Sequence, residues 1–284
     1  MRRRWVIVGA GILIAAAVGF QQAEPLHELR KYGSLHQGIG HGVRANEYSF
    51  VPAGMAGQPF VDSLAVVARC PSVRELVVPK MTNLRETLAR VAQLEHVAAL
   101  ELQRTDVSDG DLTALAGMKN LRFLDLSRNP TVTDAGVAAL VGLRNLRYLD
   151  LESTKVTGTG LKDRSDMVSL YQLNLTDCPV TDESLAAIPR FPKLEELFLK
   201  GTEVTDTGLM GLVGWHSLRR VLWNDRMSVD GQRAFNAAFL AARRKAREAG
   251  VPMDPRDIPP IFFDGPRKWS VKEDAEPSDA AASP

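Results

Sequence analysis

Apolar residues return through the middle of the chain in one fixed pattern. Val97, Leu100 and Leu102 are followed by Val107, Leu121, Leu124 and Leu126 by Val132, and the same slots recur at Leu146, Leu170, Leu194 and Leu218. The unit is about twenty-four residues long and is present at least six times. The last two leucines of each LxxLxL stand two apart, the period of a strand with one buried face, so each unit opens with a short strand. A TxVTDxGL stretch then turns the chain. Its pairs Ser108-Asp109, Thr133-Asp134, Thr181-Asp182 and Thr205-Asp206 are placed to accept hydrogen bonds from the amides that begin a helix. Leu112, Leu115 and Met118 follow at spacings of three, as do Val137, Leu140 and Leu143, and Leu209, Leu212 and Trp215, which gives one apolar helical face. One unit leaves both apolar faces open, whereas stacked units cover one another and build a solenoid.

The segments RNLRYLDLESTKVTGTGL, PKLEELFLKGTEVTDTGL and VSLYQLNLTDCPVTDESL resemble the leucine-rich repeat family, in its cysteine-containing bacterial form, over residues 73–225. The resemblance implies an α/β solenoid of about seven coils, with a parallel sheet on the concave face and short helices on the convex face. It also implies that the slot of Thr105, Thr154, Cys178 and Thr202 holds side chains bonded to backbone groups between neighbouring coils, and that the task is binding rather than catalysis.

The flanks follow the same logic. PSVRELVVP is a degenerate first strand, and no strand is expected before it. Leu64, Val67 and Cys70 keep only the helical half of the unit, so residues 58–72 are expected to form a capping helix. At the far end, Asp230 is expected to cap a helix within residues 226–250 whose inner face carries Phe235, Ala238, Phe239 and Ala242. Residues 24–57 read as a flexible linker. The Pro-rich tail, 251–284, reads as largely disordered, except that IPPIFF and Trp269 fold back on the solenoid or serve as a docking motif. In LKDRSDM, Arg164 takes a slot held elsewhere by Leu140, Ile188 and Leu212, so that coil is expected to be loosely packed or irregular.

Composition narrows the task. Net charge is +1 and the apolar fraction 45%, which gives no global attraction to nucleic acid and suits one elongated domain. The run Arg243, Arg244, Lys245, Arg247 reads as a solvated last helical turn. Met1 to Arg4 precede an uncharged stretch from Trp5 to Phe20, the layout of a membrane anchor with its basic end in the cytoplasm; the alternative is a signal peptide cleaved after Ala17 or Ala23, within residues 1–23. Either places the repeats outside the cytoplasm of a bacterial cell. VIVGAGILIAAAVG looks like a dinucleotide fingerprint, but Ile14 stands where its third glycine belongs. His27, His36 and His41 lack the paired spacing of a zinc site. Cys70 and Cys178 lie more than four units apart, on the order of 20 Å at the spacing of adjacent strands, so they read as free thiols. No cofactor is implied.

The remaining chemistry lies on the outward positions of the strands. One column reads Glu75, Ala99, Phe123, Tyr148, Gln172, Glu196, Arg220; a second Val77, Glu101, Asp125, Asp150, Asn174, Phe198, Leu222; a third Pro79, Gln103, Ser127, Glu152, Thr176, Lys200, Asn224. Exposed aromatics beside carboxylates suit a protein or peptide that carries basic and apolar groups. The expected contact residues are Glu101, Phe123, Asp125, Tyr148, Asp150, Glu152, Glu196 and Phe198. Two other readings stand beside it. A wall or polysaccharide binder needs aromatic platforms along the columns. A hydrolase using Asp125, Asp150 and Glu152 needs a cleft that shields one acid.

Overall fold

A computed structural model describes residues 23–37, 47–54, 57–223, 226–251 and 261–262. Their strands form a single sheet in chain order: β1 (Gly33–Gln37), β2 (Tyr48–Pro52), β3 (Val73–Val77), β4 (Ala99–Glu101), β5 (Phe123–Asp125), β6 (Tyr148–Asp150), β7 (Gln172–Asn174), β8 (Glu196–Phe198), β9 (Arg220–Leu222) and β10 (Ile261–Phe262). β1 runs antiparallel to β2, and the nine strands from β2 to β10 are parallel. The register sets Leu76, Leu100, Leu124, Leu149, Leu173, Leu197 and Val221 side by side, all fully buried. Each such side chain stabilises by about 1.5–3 kcal/mol through burial. This is the solenoid that the repeat spacing predicts.

The helices lie on the other side of the core: α1 (Ala23–Leu29), α2 (Gln58–Val67), α3 (Leu84–Val91), α4 (Asp109–Leu112), α5 (Asp134–Ala139), α6 (Asp182–Ala187), α7 (Asp206–Gly211) and α8 (Val229–Glu248). Ser108, Thr133, Thr181 and Thr205 are the N-caps of α4 to α7, as the Ser/Thr-Asp pairs predict. The aspartates after them do more than cap. Asp109 accepts from the amide and hydroxyl of Thr133 at 2.8 and 2.6 Å, Asp182 from those of Thr205 at 2.7 and 2.5 Å, and Asp206 from those of Ser228 at 2.9 and 2.6 Å. Each aspartate therefore fixes the cap of the following coil, a ladder running across the repeats.

One coil departs from this order. Gly158 stands where the aspartate belongs, with φ at 98°, and only a 3₁₀ turn, Thr159–Leu161, forms. An added Cβ there would meet Ile188 Cδ1 at 2.9 Å, so the site favours glycine twice over. Asp134 compensates by accepting four bonds, from the amide and hydroxyl of Thr157 and from the amides of Gly158 and Gly160. The segment around Arg164 is irregular, as expected, but it is not loose. The Arg164 guanidinium donates to the Ala138 carbonyl at 3.0 Å and lies 3.8 Å from Asp166, while Leu161 and Met167 are fully buried.

Both flanks correct the sequence reading. Residues expected to form a linker carry α1, β1 and β2, and β2 is a strand where none was expected. Phe50 pairs with Leu76 and takes the leucine's place in the core, fully buried. The antiparallel β1 covers what would otherwise be an open parallel edge. α2 does form within 58–72, but as the helical return of this extra coil; α1 packs against it, and Glu28 holds Arg69 at 2.6 Å. At the other end, Ser228, not Asp230, caps α8: its hydroxyl is the acceptor nearest the free amides and takes a bond from Gly231 at 2.9 Å. Phe235 and Phe239 are fully buried and Ala238 and Ala242 half-buried. Arg243 is buried too, its guanidinium 5.9 Å from the Phe239 ring centre, so this part of the basic run is not solvated. Of the tail, Ile261 and Phe262 fold back as β10 against β9. The apolar stretch Trp5 to Phe20 and Asn224 lie outside the described residues. Among the described residues, no helix is long and apolar enough to cross a membrane.

Candidate binding face of the sheet

The parallel register builds the outward columns as expected: Phe123 lies beside Tyr148, and Glu101, Asp125, Asp150, Asn174 and Phe198 follow one another across β4 to β8. Exposure along them is uneven. Tyr148, Glu101, Asp125, Glu152, Glu196 and Phe198 are half-buried, whereas Phe123 and Asp150 are 1% and 2% exposed. Asn174 is buried as well. Strands about 4.8 Å apart press column neighbours together, so side chains in the middle of the sheet lose contact with water even when they point away from the core. Phe123 and Asp150 are therefore corrected from exposed contacts to packed supports.

The acids carry structural duties. Asp125 Oδ1 accepts from the Ser127 amide at 2.7 Å, Asp150 Oδ1 from the Glu152 amide at 2.8 Å, and Asn174 Oδ1 from the Thr176 amide at 3.0 Å. This repeated turn at the strand end explains why the column prefers Asp and Asn. Glu152 meets Arg128 at 3.2 Å, and Glu196 meets Arg220 at 2.7 Å. Burial, with Asp125 beside it, pushes the Asp150 carboxyl up to about 8. Such an acid has the pKa of a proton donor, yet it is covered and committed to the backbone, so it is not placed to reach a substrate bond.

The aromatics form a row longer than the columns indicate. Tyr148 lies 6.2 Å from Phe123 and 5.8 Å from Tyr171, ring centre to ring centre, tilted in both pairs. Tyr171 was missed because it sits one residue before β7, outside the xLxLx window. The pairing itself starts there: the Tyr171 amide donates to the Arg147 carbonyl, and the Glu195 amide to the Tyr171 carbonyl, each at 2.8 Å. Extending the columns by one residue, through Arg147, Tyr171 and Glu195, would have found it.

In the slot of Cys178 the side chains bond backbone groups, but only Cys178 and Asn129 donate to a carbonyl of the neighbouring coil, as the repeat resemblance implies. Thr105, Thr154 and Thr202 hydroxyls donate to carbonyls three residues back, and the Cys178 thiol donates to the Leu151 carbonyl of the preceding coil at 2.9 Å. Asn129, in the same slot, bonds Leu102, Leu126 and Ser127. Both cysteines are free and buried. Burial raises the pKa of each, Cys70 to about 11, so neither is primed as a thiolate. Among the described residues, no group of His, Cys, Asp or Glu could hold a metal ion.

Comparison with known proteins places these coils. A family model described as leucine rich repeat matches residues 95–156, and a second leucine rich repeat model matches residues 168–188. The chain is a leucine-rich repeat protein. No curated protein matches it. Among solved structures it is similar to internalin C2 of Listeria monocytogenes, with a TM-score of 0.46 and 23% identity over 65% of this chain and 81% of that one. It is similar to the internalin InlF of the same organism at 0.41 and 16%, over 72% of this chain and 58% of the other. TLR13, solved in complex with ssRNA13, gives 0.42 and 19% over 60% of this chain and 28% of its own length.

Proposed function

We propose that this chain is a non-catalytic scaffold, exported and attached to the membrane through residues 5–20, that binds another protein through the sheet face around Tyr148. Secretion after cleavage of that segment is the alternative placement. The observation that carries the binding face is the state of Tyr148. Its ring is half-exposed, yet braced between Phe123 on one side and Tyr171 on the other. A large aromatic held in place before binding loses little conformational freedom on contact, which favours it as an anchor. Phe198 lies half-exposed two strands away, and Glu101 and Asp125 line the same face. The partner is a protein or peptide with apolar groups for the aromatics and basic groups for the carboxylates. Because Glu152 and Glu196 already hold arginines, the acids act mainly on the rate of encounter.

The test is affinity purification from the native membrane with the wild-type chain and with Tyr148→Ala. A weakening of capture by more than about 1 kcal/mol, with the denaturation midpoint little changed, is expected. Phe123→Ala is the wrong probe, since its ring is buried and its loss costs about 3–5 kcal/mol of fold stability. Equal capture by wild-type and Tyr148→Ala protein would refute this face.

A further inference from the structure

Tyr171 has a second neighbour besides Tyr148. It forms one wall of a pocket of about 810 Å³ at the end of the solenoid, bounded by the turns that lead into β8 and β9 and by α8. The volume is that of small-molecule sites. Arg190, Lys193, Arg219 and Arg243 line it together with Trp215 and Tyr171. Against these four cations stands one carboxylate among the described lining residues, Glu195, which is held by Arg219 at 3.0 Å.

Three details set this pocket apart from an ordinary basic surface. Arg190 lies over the Gly214 backbone, where an added Cβ would meet its guanidinium atoms at 2.8 Å. Its side chain is exposed, and it makes no ion pair with the described residues. Arg243 reaches the pocket from α8 with only 3% of its surface exposed, packed over Phe239, so its charge is fixed rather than waving in solvent. His216, on the same wall, has a buried Nδ1 with no hydrogen-bond partner. Burial, then Arg190 and Arg243, holds its pKa below the usual range, so it is neutral and one of its ring nitrogens is left as a donor. Guanidinium groups match the geometry of carboxylate and phosphate oxygens and hold them by paired hydrogen bonds. Trp215 and Tyr171 supply flat apolar walls beside them.

We infer that this pocket binds an organic oxyanion, a phosphate or carboxylate carried on a flat apolar body, with the oxyanion on Arg190 and Lys193 and the body against Trp215 and Tyr171. This site shares Tyr171 with the sheet face around Tyr148, but its test does not depend on the protein partner. Phenyl phosphate, benzoate, inorganic phosphate and phenol are titrated into the full chain at low ionic strength and followed by calorimetry and tryptophan fluorescence. Phenyl phosphate or benzoate is expected to saturate with a Kd of about 0.1–1 mM. Which of the two binds more tightly distinguishes a phosphate site from a carboxylate site. Inorganic phosphate should bind about tenfold more weakly, and phenol not measurably, since each keeps only one of the two contacts. Arg190→Ala with Lys193→Ala, both on exposed side chains, should weaken binding by about tenfold or more at an unchanged melting temperature, while Arg190→Lys retains part of it. Gly214→Ala, which displaces Arg190, should weaken it as well. Absence of saturable binding of both aromatic oxyanions at about 10 mM, or unchanged affinity in the double alanine variant, would overturn the assignment.

Discussion

The aspartates of the repeats and the cations of the terminal pocket sit on the same leucine scaffold, but their surroundings differ. Asp134 accepts four hydrogen bonds from the next coil, Asp182 accepts two, and Asp125 and Asp150 close turns at their own strand ends. Among the described residues lining the pocket, one carboxylate stands with four cations, and Arg190 lies over the Gly214 backbone. Charges whose hydrogen bonds are taken up by the fold stabilise it, and removing them costs stability. Arg190 and Lys193, exposed and without an ion pair to the described residues, are available to a ligand, and removing them costs binding. What sets the two groups apart in function is whether the fold takes up their hydrogen bonds.

The largest expected effect lies on the structural side. Asp134→Ala, which strips four bonds from the turn around Gly158, should lower stability by about 1–3 kcal/mol without altering phenyl phosphate binding. Burial acts to raise the Asp134 pKa, but the bonds from Thr157 and Gly160 outweigh it and the folded value is lowered. Its contribution is therefore present above the unfolded carboxylate range and is lost as pH falls through the folded pKa. Urea midpoints should differ between wild type and variant at neutral pH and converge at strongly acid pH.

Asp150 should behave in the opposite sense. Its folded pKa is raised to about 8, so wild-type stability should decline as pH rises from the unfolded carboxylate range towards that value and level off above it. Asp150→Asn should remove this slope and gain on the order of 1–2 kcal/mol at slightly alkaline pH, because Asn174 shows that an amide closes the same turn. A variant with an unaltered pH profile would mean that Asp150 does not titrate as its burial requires.

Asp182→Ala removes two bonds where Asp134 loses four, and about 1 kcal/mol is expected from the same midpoints. Arg190→Ala with Lys193→Ala should change stability by less than about 0.5 kcal/mol while abolishing most oxyanion binding. A loss of stability there equal to that of Asp134→Ala would erase the distinction between the two groups of charges.

Most of the solenoid was legible because its signals are local and repeated: the two-residue strand period, the unit length, and the Ser/Thr caps. What escaped depends on contacts between units. Phe123 and Asp150 occupy outward positions in sequence and are buried by their lateral neighbours, which a single unit does not reveal. β2 escaped because Phe50 does the work of a leucine without the surrounding LxxLxL, and its step to β3 contains a register shift. Arg243 was read with its basic neighbours on α8, but helical periodicity turns it inward with Phe239. Tyr171 lay one residue outside the window that defined the columns. The acid and aromatic types of the candidate face were therefore visible early, and the division between supports and contacts was not.

The central claim is that the partner meets the sheet face at Tyr148, and site-specific photocrosslinking tests it most directly. Benzoylphenylalanine is placed at position 148 in one sample and at Lys162, an exposed residue of the helical side, in another, and the full chain is irradiated in its native host. The account predicts a discrete covalent adduct from position 148 and none from position 162. Adducts from position 162 with none from position 148 would contradict it and move the binding site to the helical side.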